Sequence, residues 1–138
     1  SLAELQRIGF YGYANGGQLR DFVSIEDVVK VNMYFIDNPH KSGIFNLGTG
    51  QAQSFNDVAV ATINTLRNAE GKPSLSLAEL QQQGLVSYIP FPEQLRGKYQ
   101  SYTQADISAL RNSGYTESFL NVEQGVAKYV NDLSSASA

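Results

Sequence analysis

Arg20-Asp21-Phe22-Val23-Ser24-Ile25-Glu26-Asp27-Val28 reads as a short strand that runs straight into a capped helix, and it sets the fold class as α/β. A guanidinium is a planar fork of donors suited to phosphate or carboxylate. At a strand-to-helix junction, Arg20 meets an anion with little entropy left to lose. The competing reading is a structural ion pair of Arg20 with Asp21 or Glu26. Ser24 with Asp27 three residues on has capping-box spacing. Ile25, Val28, Val29, Asn32, Phe35 and Ile36 share one face at helical spacing, which predicts a helix over 25–37 with that face in the core.

The 138 residues fit one compact domain or a piece of a larger one, and 42% hydrophobic with 17% charged residues is an ordinary globular composition. A net charge of −3 gives no basic field for counterion release, which argues against nucleic acid as a general partner. With no cysteine, disulfides, thiolate metal sites and cysteine nucleophiles are excluded together. The lone His40, in the turn-like Asn38-Pro39-His40-Lys41, excludes a histidine-rich metal site. No stretch has the apolar length of a membrane span and no secretory pattern opens the chain, so a cytoplasmic setting is expected.

Upstream of Arg20, Phe10-Tyr11-Gly12-Tyr13 forms a loop whose glycine admits close backbone approach and whose rings offer stacking faces. The string Ser1 to Gln6 recurs letter for letter at Ser76 to Gln81; two copies do not make a solenoid. Downstream, Ile44-Phe45-Asn46-Leu47 reads as a strand ending in Gly48-Thr49-Gly50. The third glycine of a dinucleotide fingerprint would fall at Gln53, so the turn is rejected as a cofactor loop. Ser54 with Asp57 caps a helix over 55–68, with Val58, Ala59, Ala61, Thr62, Ile63 and Leu66 inward. A short helical string lies within 73–84, and Leu85 to Pro90 reads as a strand. Arg96, Lys98 and Tyr99 surround Gly97 as an anion-facing loop would. Thr103 with Asp106 predicts a helix over 104–112 ended by Gly114. Asn121 caps a last helix over 122–133, with Val122, Val126, Tyr129, Val130 and Leu133 inward and residues 134–138 frayed.

Taken together, Arg20-Asp21-Phe22-Val23, Gly43-Ile44-Phe45-Asn46-Leu47-Gly48-Thr49-Gly50 and Tyr88-Ile89-Pro90-Phe91-Pro92 through Gly97-Lys98-Tyr99-Gln100, with Thr103-Gln104-Ala105-Asp106, resemble the carboxyl-terminal portion of the ADP-L-glycero-D-manno-heptose 6-epimerase family. The first two strings are shared broadly by extended short-chain dehydrogenase/reductases of the NAD-dependent epimerase/dehydratase type. The third is similar to the heptose epimerases in particular. The resemblance spans residues 20–133 and is poorest over 69–84. It implies the substrate-binding portion of a two-domain enzyme, with short strands, about four main helices and the Rossmann core largely absent. It further implies inversion at heptose C6 by transient oxidation for lipopolysaccharide precursors, NADP held by a missing amino-terminal Rossmann half, and homo-oligomers. Arg20 falls where the family contacts the substrate diphosphate, Tyr99 where a tyrosine contacts substrate, and Phe10, Tyr11, Gly12 and Tyr13 in the place of a substrate loop. Asp21 is assigned to holding backbone.

The chain departs from the family in lacking its Tyr-x-x-x-Lys acid/base pair. None of the eight tyrosines has a lysine four residues on, so no phenol here has an ammonium one helical turn away to lower its pKa. The expectation is a fragment, inactive alone, with no catalytic, cofactor or metal residue of its own. Another UDP- or dTDP-sugar epimerase or dehydratase, separable by nucleobase competition, is the alternative within the class. A non-catalytic nucleotide-sugar binding or interaction module is the alternative outside it.

Overall fold

The computed structural model describes residues 15–95 and 98–136. It is α/β: five α-helices around a two-stranded sheet, without a full Rossmann core. The strands are β1 (Leu19–Arg20) and β2 (Gln53–Ser54). The helices are α1 (Ile25–Asp37), α2 (Phe55–Ala69), α3 (Leu77–Gln82), α4 (Ser108–Asn112) and α5 (Val122–Ala136). β1 and β2 pair antiparallel, Leu19 opposite Ser54 and Arg20 opposite Gln53. A parallel bridge joins Leu19 to Tyr102.

Helix α1 has the predicted bounds but presents another face. Val31 is buried with Leu110 and Tyr115, and Tyr34, Phe35, Leu47 and Phe119 pack around them. Ile25, Val29 and Ile36 of the expected core face are exposed instead. The capping box at its start is also replaced. Ser24 Oγ accepts from the Glu26 amide, while the buried Asp27 carboxylate turns away to accept the Leu120 N–H at 2.8 Å and the Lys30 ammonium at 3.1 Å. Asp27, bonding directly to Lys30 Nζ, raises the lysine pKa above its ordinary value.

Helix α2 opens with the predicted box: Ser54 Oγ accepts the Asp57 N–H, and the Asp57 carboxylate accepts the Ser54 N–H. It lies against α5. Its inward residues are only half-buried, and Leu66 is exposed. Asn64 clasps the weakly patterned segment by exchanging two hydrogen bonds with the Leu75 backbone, both 2.9 Å. The fully buried Leu80 anchors α3 behind it.

One predicted element is shorter than its pattern and another is absent, because competing partners take the backbone. Thr103 donates its N–H to the Leu19 carbonyl and Ala105 to Asp21, so the chain stays extended until α4 begins at Ser108. Asp106 then accepts the Ser108 N–H rather than pairing with Thr103, and the Ser108 side chain, with that N–H bond second, holds its carboxyl below the ordinary aspartate value. Leu85 to Pro90 forms no ladder, since the N–H groups of Leu85 and Val86 close on the Leu80 carbonyl. Residues 44–47 also pair with no strand among the described residues. Gly114 has the expected left-handed φ of +100°. Asn121 caps α5 by accepting the Gln124 N–H at 2.9 Å. That helix runs to Ala136, past the expected fraying point at 134, and leaves Tyr129 and Leu133 exposed.

Candidate functional site

Arg20 is positioned by main chain on both sides. β2 pairs with its strand on one side; on the other, Leu19 N–H donates to the Ser101 carbonyl at 2.9 Å and the Leu19 carbonyl accepts Thr103 N–H at 3.1 Å. This brings the loop after Pro92 alongside a residue eighty positions earlier. The guanidinium carbon of Arg20 lies 4.8 Å from the Tyr99 ring centroid, in cation–π range. Phe91 supports that ring edge-on at 5.6 Å.

The hydrogen bonds of Arg20 go to backbone, to the Leu19 carbonyl at 2.8 Å and to the Gln100 carbonyl. A guanidinium carries five N–H donors, so the fork keeps capacity for an anion. The ion-pair reading fails on geometry. Glu26 pairs with Lys128, and Asp21 is committed elsewhere.

Asp21 takes the role expected of it. Its carboxylate accepts the N–H groups of Thr49 (2.7 Å), Gly50 (2.9 Å) and Ala105 (3.0 Å), and the Thr49 hydroxyl at 2.6 Å. Gly48 is required here because a Cβ would stand 2.6 Å from both the Asp21 carboxylate and the Ala105 methyl. The Thr49 and Gly50 amides of this turn thus already serve an internal anion. Gln53, which stands at the fingerprint's third glycine position, lies in β2 and accepts the Val122 N–H at 2.9 Å to start α5.

Phe10, Tyr11, Gly12 and Tyr13 lie outside the described residues, as does Arg96 of the basic loop. The turn that follows the first loop is visible. Asn15 and Gly16 both take left-handed φ, +59° and +65°. Asn56 fixes it by donating to the Asn15 carbonyl at 2.8 Å and accepting the Tyr88 hydroxyl at 2.9 Å. Asn56 and Tyr88 were not singled out in the sequence. The Asn-Gly dipeptide signals the turn, but nothing in the sequence signals its tie across to Tyr88.

Recesses of about 460 Å³ beside Thr49, Tyr102 and Asp106, and about 520 Å³ between α2 and α5, lie elsewhere. Neither is lined by Arg20 or Tyr99, both of which are half-buried. Among the described residues, no group of three or more His, Asp or Glu side chains is placed to hold a metal ion. No helix is long and apolar enough to cross a membrane.

No protein-family model matches the chain. Over 125 residues it is 62% identical to the ADP-L-glycero-D-manno-heptose-6-epimerase of Thiobacillus denitrificans, a match covering 91% of this chain and 38% of that relative. The matched part of the relative is its carboxyl-terminal portion. The chain therefore spans about two fifths of the length of the curated relative it matches.

Proposed function

We propose that this chain, similar to the carboxyl-terminal portion of a heptose epimerase, is the substrate-binding part of an enzyme inverting C6 of ADP-D-glycero-D-manno-heptose. The observation that carries this reading is Arg20 stacked on Tyr99, with backbone carbonyls for partners and no carboxylate among the described residues. In this reading the guanidinium neutralises diphosphate charge and Tyr99 contacts the substrate. Phe10, Tyr11, Gly12 and Tyr13 are the substrate loop of this reading and cover the nucleotide. The parent enzyme is an isomerase, here assigned to precursor synthesis for lipopolysaccharide in the cytoplasm, and it works as an oligomer. Residues 1–138 form one substrate-binding region.

The described residues do not fit the NADP that the family uses. The glycine-rich turn directs its amides onto Asp21, and no tyrosine has a lysine one helical turn on. NADP and the acid/base pair belong, in this reading, to the amino-terminal Rossmann half, and this chain alone is inactive. Its own contribution is to bind and orient the ADP-sugar.

Arg20→Ala in the complete enzyme tests the assignment. Loss of a charged hydrogen bond costs roughly 1.5–3 kcal/mol, so KM for the ADP-heptose should rise about 10- to 100-fold with the unfolding midpoint unchanged. Unaltered KM and kcat would remove Arg20 from the site. Competition by ADP-sugars over UDP- and dTDP-sugars checks the nucleotide.

A further inference from the structure

The turn at Asn15 and Gly16 feeds directly into the strand that carries Arg20, and the start of α2 holds that run from the side. The Asn56 N–H donates to the Gly16 carbonyl at 3.2 Å, the Phe55 N–H to the Gln18 carbonyl at 3.3 Å, and Gln53 pairs with Arg20. The run needs holding. Both turn residues take left-handed φ, and Gly16 and Gly17 have the most backbone freedom to lose on ordering. Gly16 also admits the close approach of α2, since a Cβ there would collide with the Asn56 amide.

The Asn56 side chain completes the hold. An asparagine amide offers donors at one end and an acceptor at the other: Nδ2 donates to the Asn15 carbonyl at 2.8 Å, while Oδ1 accepts the Tyr88 hydroxyl at 2.9 Å. The two bonds agree on one orientation, because the amide turned over would set its oxygen against the Asn15 carbonyl with no hydrogen between them. Without the Tyr88 hydroxyl, that amide is free to leave the turn for water. The same short segment reaches the other side of the site. Phe91, three residues after Tyr88, stands edge-on to Tyr99 at 5.6 Å, and Tyr99 is the ring on which Arg20 stacks.

We propose that Tyr88 is a positioning residue for the substrate site. Its hydroxyl fixes the Asn56 amide, which pins the turn leading into Arg20, and its own segment carries the support of Tyr99. This rests on the reading of Arg20 and Tyr99 as contacts for the ADP-sugar.

Tyr88→Phe in the complete enzyme, measured beside Arg20→Ala, tests this. The substitution deletes the hydroxyl and keeps the ring, so KM for the ADP-heptose should rise about 2- to 10-fold with kcat and the unfolding midpoint unmoved. Asn56→Asp keeps an acceptor for Tyr88 and loses the donor to Asn15, in a first helical turn where an acidic residue is favourable. It should raise KM at least as far. In that background Tyr88→Phe should raise KM no further, since residues acting through one set of contacts are not additive. KM unchanged in Tyr88→Phe while Arg20→Ala raises it would overturn the proposal and leave the substrate reading standing. A lower midpoint and kcat without a rise in KM would make the tie a purely structural one and overturn it too, as would full additivity of the two substitutions. Arg20→Ala with KM unaltered would instead defeat the substrate reading, and the proposal with it.

Discussion

Arg20 and Asp21 are neighbours in sequence and opposites in work. Arg20 stacks on Tyr99 and keeps donors to spare, whereas Asp21 gathers four hydrogen bonds from Thr49, Gly50 and Ala105. Asp21→Asn removes the charge and turns amide hydrogens toward N–H donors, so we expect a loss of about 3 kcal/mol, read as a lower urea midpoint. A midpoint equal to that of the parent would show that the carboxylate does not clamp these segments. Tyr115 makes the converse case. It is buried, its phenol has no hydrogen-bond partner among the described residues, and burial pushes its pKa up. Tyr115→Phe should therefore leave stability unchanged or raise it by up to about 1 kcal/mol; a clear loss would reveal a hidden partner for the hydroxyl.

Among the elements, α3 carries a capping box in which the Ser76 hydroxyl and N–H both donate to the Glu79 carboxylate at 2.7 Å. Those bonds, the hydroxyl's first, hold the Glu79 pKa below the ordinary glutamate value. A depressed carboxyl stabilises the fold above its unfolded pKa and loses that contribution as pH falls through the folded one. The start of α3 should thus be intact at neutral pH and fray in acid, with the Ser76 amide exchanging faster there. Glu79→Gln should flatten that dependence; a profile identical to that of the parent would place its origin elsewhere. The two boxes that the spacing predicted wrongly, at Ser24 and Thr103, failed because Asp27 and Asp106 found other amides, at Leu120 and Ser108. Spacing identifies a carboxylate within reach of a cap but not the competitor that folding brings closer.

Across the whole molecule, stability concentrates in a small core. Leu110 is fully buried against Val31 and Tyr115, and Leu110→Ala should cost about 2–5 kcal/mol. We expect the guanidinium midpoint to drop at unchanged slope; a loss below 1 kcal/mol would mean that this cluster is not the core. Because β1 and β2 are two residues each, helix packing and side-chain clamps hold the remaining architecture. The pairing of α2 with α5 is the main contact between elements. Both helices leave apolar residues exposed, Phe55 and Leu66 on one and Tyr129 and Leu133 on the other.

The sequence by itself determined what local chemistry decides: the bounds of α1, the Ser54 box, the Asn121 cap and the left-handed Gly114. Each rests on residues within a turn or so of one another. Only the tertiary structure decided which face of α1 is buried and that residues 44–47 lack a ladder, because burial and strand pairing depend on partners remote in the chain. It also decided that Arg20 and Tyr99 meet. A β-bridge between Leu19 and Tyr102 brings together segments some eighty residues apart, and no local pattern encodes that approach.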